Sequence, residues 1–169
     1  LPIYIQNWMY GNTYDTTLSD ASPGYDAMKA GIGALRSFPI NGKRIKVIDI
    51  HAHATVPEVT PVVAGTPYER QGGGRSLDQE RIDAIDRQGI DVQVLSINGF
   101  WWYEVKDRDL AARIVKAQNE GMAKWVSQHP DRFQGMVSSS LQFPDLAAQQ
   151  VEDGVKRLGL KAAAIGGHV

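Results

Sequence analysis

A chain of 169 residues can bury a sizeable core, and 43% hydrophobic with 22% charged residues is the composition of an ordinary globular protein. Eighteen Lys and Arg against nineteen Asp and Glu leave a net charge of −1, so no basic excess points to nucleic acid or to an anionic membrane. Cysteine is absent, which excludes disulfides and thiolate ligands; any metal must sit on nitrogen and oxygen. No apolar run approaches the roughly 20 residues that span a bilayer, and no charged segment leads into an apolar one at the start. The expected location is the cytoplasm.

Residues 1–44 show no clear period and are read as an irregular N-terminal arm. Tyr4, Trp8, Tyr10, Tyr14 and Tyr25 give it aromatic contact surface. One short helix is expected around Ala27, Met28, Lys29 and Ala30, and Asn41-Gly42 signals a turn. The next stretch, Lys46-Val47-Ile48-Asp49-Ile50-His51-Ala52-His53, opens as an apolar run suited to a buried strand. It ends in two histidines one residue apart. Strand side chains alternate, so His51 and His53 are expected on one face, where two imidazoles can share a metal ion if other elements complete the site. Asp49 is assigned to the opposite face and to a structural role.

A long loop is expected over residues 54–75, with Pro57, Pro61, Pro67 and the run Gly72-Gly73-Gly74. The glycines lack phosphate-loop spacing, but Arg75 could offer a guanidinium to a substrate carboxylate. Ser76-Leu77-Asp78-Gln79 reads as a capping box with Ser76 as the cap. Leu77, Ile82 and Ile85 form the apolar stripe of the following helix, and Gly89 stops it. Residues 90–97 read as the second strand, followed by Phe100, Trp101, Trp102 and Tyr103.

Asp107 is a plausible N-cap for a long helix whose inward side carries Leu110, Ile114, Val115, Met122, Trp125 and Val126. His129-Pro130 closes it. Residues 133–138 read as the third strand. Pro144 suits the first turn of the next helix, with Leu146, Val151, Val155 and Leu158 inward and Gly159 after its end. Residues 160–165 read as the fourth strand, followed by His168.

Each strand is thus followed by a helix able to cover a parallel sheet. The 125 residues from 45 to 169 hold about four βα units at roughly 30 residues each, whereas a closed (β/α)8 barrel needs about 250. The expected fold is α/β: the first half of a TIM barrel plus the arm. Open sheet edges call for a second half from the same or another chain, or for an oligomer.

Ile48-Asp49-Ile50-His51-Ala52-His53 resembles the first strand of the amidohydrolase superfamily, in its amidohydrolase-2 group. Residues 82–96, 119–135 and 163–169 resemble, in order, the group's first helix and second strand, its second helix and third strand, and its fourth strand. The resemblance covers residues 45–169. It implies a (β/α)8 barrel with a divalent metal, zinc in first place and manganese as the alternative, held in part by His51 and His53. The group's remaining ligands, a histidine after the fifth strand and an aspartate after the eighth, are not among these residues, nor is a further histidine that assists the chemistry. Many aromatic-acid decarboxylases of the group carry Glu-x-His here, so His-x-His leans towards the semialdehyde decarboxylase or hydrolase branches.

Such an ion would orient a substrate carboxylate or activate water. Three readings follow: a decarboxylase acting on a small unsaturated or aromatic carboxylic acid, a hydrolase of the same fold acting for example on a lactone, or a non-catalytic half-barrel used in assembly. Candidate substrate contacts are Arg75, Trp101, Trp102 and His168, which follow strand ends on the side where barrel enzymes place their sites. Phe100 and Tyr103 could wall a flat substrate or simply pack. His129 precedes a strand at the other end of the sheet and is expected to serve the helix terminus.

Overall fold

The computed structural model describes residues 3–4, 43, 45–69, 76–97 and 104–165. The helix expected near Ala27, and Arg75, Phe100, Trp101, Trp102, Tyr103 and His168, lie outside those residues. Among the described residues five strands, all parallel and adjacent in chain order, form the sheet: β1 (Ile3–Tyr4), β2 (Val47–Ala54), β3 (Val92–Ile97), β4 (Phe133–Val137) and β5 (Ala162–Ala163). Four strands were expected; the fifth comes from the arm, where Ile3 pairs with Val47 and Tyr4 with Ile48. The strand expected over 160–165 is shorter, and Leu160 instead packs into the core.

The helices are α1 (Thr60–Val63), which extends a 3-10 turn at Pro57–Val59, then α2 (Gln79–Gln88), α3 (Arg108–Gln128) and α4 (Pro144–Lys156). The 3-10 turn and α1 correct the expectation of loop after His53. Pro57 and Pro61 sit in the first turns of these two pieces, where a missing N–H costs nothing, and Val56, Val59 and Val63 are buried. The cap of α2 also differs from expectation. Asp78, not Ser76, accepts the Arg81 N–H (3.1 Å), and Gln79 turns outward to Asp83 (2.9 Å). Gly89 ends α2 at φ 74°, a left-handed conformation that glycine adopts without steric penalty. Asp107 caps α3 through the N–H groups of Asp109 and Leu110. The His129 ring at the far end of α3 packs at a tilt against Trp125, 4.4 Å between centroids.

Among the described residues, helices cover one side of the sheet. Leu95, Phe133 and Val137 on the strands and Ile85, Ile114 and Met122 on the helices are buried there. Asn119 ties α3 to the end of β4, donating to the Ser138 carbonyl (3.0 Å) and accepting its N–H (2.8 Å). On the other side Ile48, Val94, Gln134 and Met136 are only half-buried and Ile50 is 41% exposed.

Val155 was expected inward on α4 but is exposed; Ala147 and Gly154 are buried instead. A Cβ at Gly154 would lie 2.6 Å from Val137 Cγ2 and 3.0 Å from its Cγ1. Val137 is fully buried and β-branched, so it has no rotamer into which to retreat. Gly154→Ala should therefore lose up to about 2 kcal/mol, the overpacking cost of about 1–3 kcal/mol less the gain in helix propensity of about 1 kcal/mol. A lower urea midpoint at unchanged m-value checks this.

Candidate metal centre

His51 and His53 stand near the carboxyl end of β2 because the strand breaks its own alternation. Pairing with β3 passes from Asp49–Gln93 to Ala52–Leu95, three steps on β2 against two on β3. This is a β-bulge. Before it, Val47 and Asp49 face the helices and Ile48 and Ile50 the open side. After it, Ala52 and Ala54 face the helices, while His51 is exposed and His53 half-buried on the open side. Counting by twos would have put Asp49 beside the histidines. The bulge separates them, so the opposite-face assignment of Asp49 holds for a reason that simple alternation does not contain.

On the open side, His51 Nε2 and His53 Nε2 are 3.1 Å apart, and the rings meet edge to face. Two nitrogens that each bind one ion at about 2.0–2.1 Å are separated by roughly 2.9 Å at a right angle and roughly 3.4 Å at a tetrahedral one. The observed separation falls between these values. Without an ion the same spacing accommodates one shared N–H. His53 Nδ1 lies 3.1 Å from Ser96 Oγ on β3. In the tautomer that donates Nδ1–H to this hydroxyl, Nε2 is left as a free lone pair. Burial, and next the His51 ring and the Arg81 guanidinium, lower the His53 pKa below the ordinary imidazole value, against a smaller opposing pull from Asp49. A neutral ring, the form that ligates metal, is therefore favoured.

The chemistry of these donors fits a divalent ion of the zinc or manganese kind, but two neutral nitrogens supply neither a full coordination shell nor charge balance. Among the described residues no group of three or more His, Cys, Asp or Glu could hold a metal. Asp49 is not available to it, being 1% exposed and turned to the helix side, where it meets Gln93. His129 packs against Trp125 and Phe133 at the amino-terminal end of β4, away from the pair.

Ser96, Gln93 and Arg81 were not anticipated. Gln93 carried a signal, as a long polar side chain inside an apolar strand. Arg81 carried another: it stands four residues before Ile85, on the inward stripe of α2, and is 4% exposed. No helix among the described residues is long and apolar enough to cross a membrane.

No family model matches the chain. In sequence it is similar to a gamma-resorcylate decarboxylase of Rhizobium radiobacter, 30% identical over 125 residues that make up 71% of this chain and 38% of that protein. It is also similar to a 2-amino-3-carboxymuconate-6-semialdehyde decarboxylase of Dictyostelium discoideum, 32% identical over 93 residues, 53% of this chain and 25% of the relative. In structure it is similar to a dihydroxybenzoic acid decarboxylase of Polaromonas sp. JS666 solved with manganese and the inhibitor 2-nitroresorcinol. That match has a TM-score of 0.58 at 28% identity and covers 71% of this chain and 38% of the other. The chain thus spans well under half the length of these relatives.

Proposed function

Because the chain is related to the decarboxylases of the amidohydrolase superfamily over that share of their length, we propose that it forms part of a metal-dependent decarboxylase of small aromatic or unsaturated carboxylic acids. The observation that carries this reading is the His51–His53 pair, with Nε2 atoms 3.1 Å apart on the open side of a parallel sheet. A divalent ion held there supplies Lewis acidity and positive charge for a substrate carboxylate. The relative's manganese sets that ion beside zinc as the expected occupant. His51 and His53 act as neutral ligands, and Ser96 fixes the tautomer of His53.

Residues 45–169 are then the first four units of a (β/α)8 barrel, and 1–44 an N-terminal arm whose Ile3–Tyr4 strand pairs with β2. The other ligands and strands belong to polypeptide outside these residues, in the same or a partner chain. Two findings support this. The chain matches 25–38% of the length of these relatives, and its sheet leaves Ile50 exposed on the side a closed barrel would fill. Arg75, Trp101, Trp102 and His168 are proposed as substrate contacts on sequence grounds alone.

The test is to purify the complete protein after growth in metal-rich medium, measure bound metal, and assay carbon dioxide release from 2,6-dihydroxybenzoate and related acids. Stoichiometric manganese or zinc with carbon dioxide release is expected. A ring-opened lactone product without carbon dioxide release would move the assignment to a hydrolase. Substoichiometric metal with neither activity would leave an assembly subunit.

A further inference from the structure

Behind the histidine pair, on the helix side of the sheet, runs a buried chain of hydrogen bonds that no catalytic role has absorbed. Asp49, Gln93 and Arg81 are 1%, 3% and 4% exposed. Arg81 Nε donates to Gln93 Oε1 (3.0 Å), and Gln93 Nε2 donates to Asp49 Oδ2 (2.9 Å). Both ends of the chain grip the backbone of β2 at the candidate ligands. Asp49 Oδ1 accepts the His51 N–H (3.1 Å), and Arg81 Nη2 donates to the His53 carbonyl (2.9 Å).

We propose that Asp49, Gln93 and Arg81 are positioning residues: they lock the β2 bulge and so set the spacing of the two imidazole nitrogens on the opposite face. This rests on the reading of His51 and His53 as metal ligands. The bulge departs from ladder pairing between Asp49 and Ala52, so the strand's own register does not hold His51 there. The Asp49 carboxylate supplies a partner for its N–H. A buried carboxylate and a buried guanidinium are each costly alone, and the amide between them relays their complementary charge. The relay also has a direction. A carboxylate only accepts and a guanidinium only donates, so the Gln93 amide has one satisfactory orientation. Both of its flanking bonds are made, and the two anchored backbone groups lie two residues apart, on the histidines themselves.

The directionality provides the test. In Asp49→Asn the new amide can still accept from His51 N–H, but its NH2 then faces the Gln93 NH2. Turning Gln93 over only moves the clash to Arg81. In the double variant Asp49→Asn/Gln93→Glu every donor again meets an acceptor, and the negative charge has moved one residue along the relay. The complete protein is prepared metal-free and titrated with Mn2+ against a chelator, and exchange of the His51 amide proton is followed in the metal-free form.

Asp49→Asn is expected to weaken Mn2+ binding about tenfold or more and to speed exchange of the His51 amide; the double variant is expected to restore both. A folded Asp49→Asn protein with parental Mn2+ affinity would overturn the proposal. So would a folded double variant that binds no better than the single one. If neither variant accumulates in folded form, the relay is a requirement of folding and the positioning role is rejected. A parental protein that takes up neither Mn2+ nor, in a parallel titration, Zn2+ refutes the ligand assignment itself, and shows it before any variant is made.

Discussion

Replacing His53 with alanine is expected to lower divalent-metal affinity more than a hundredfold, beyond the roughly 10–100-fold typical of losing an outer partner of a ligand. His51→Ala should do the same. Each variant keeps one of the two adjacent nitrogens, and a single imidazole loses the chelating geometry that the 3.1 Å separation provides. Stability in the metal-free state should hardly change, because His51 is exposed and His53 is half-buried at a strand end. Chelator competition with Mn2+, beside thermal melting of the stripped protein, separates the two quantities. His129→Ala is the matched control. Its ring packs on Trp125 and Phe133, so it should lose some stability and no metal. Equal metal affinity in all three variants would sink the assignment of the pair.

The order of elements was legible in the sequence because local chemistry decided it. Asp107 caps α3, Pro144 opens α4 and Gly89 closes α2 through contacts within a few residues. The proximity of His51 and His53 was legible for a similar reason, since they are two residues apart on one strand and the bulge does not separate them. What could not be read depends on partners distant in sequence. Asp49 leaves the histidines' face only because pairing with β3 slips at residues 50 and 51, and the slip is stabilised by Gln93 and Arg81, more than 25 residues away from His53 along the chain.

The same holds for the helices. Val155 fits an apolar stripe on paper, yet α4 approaches β4 through Gly154, since only the absence of a side chain lets the helix sit against Val137. Ser76 heads a convincing capping box, but Asp78 stands closer to the first helical turn and takes the cap. Ile3–Tyr4 could not be assigned from pattern, because two residues carry no period; its place beside β2 is a matter of sheet pairing.

Phe133→Ala should be among the most destabilising single changes in the core, at about 3–5 kcal/mol. The ring is fully buried at the first position of β4, in contact range of Trp125 (centroids 5.6 Å) and His129 (6.2 Å). Its backbone N–H is held by the His129 carbonyl (3.1 Å), which fixes the chain where α3 hands over to the strand. Neighbouring backbone therefore cannot easily collapse into the space that the ring leaves, and the cavity cost is kept in full. Position adds a consequence for the site. Asp49 pairs in register with Gln93, and Gln93 with Phe133, so the aromatic ring is the apolar end of the row whose other members carry the buried relay. None of the relay's hydrogen bonds uses the ring. Urea titration should accordingly show the midpoint falling sharply, while Mn2+ affinity of the still-folded fraction stays near the parental value. A loss under about 1 kcal/mol would mean that the Phe133 site closes up around the smaller side chain, and an equal fall in Mn2+ affinity would mean that the ring, and not the polar relay alone, holds the bulge in place.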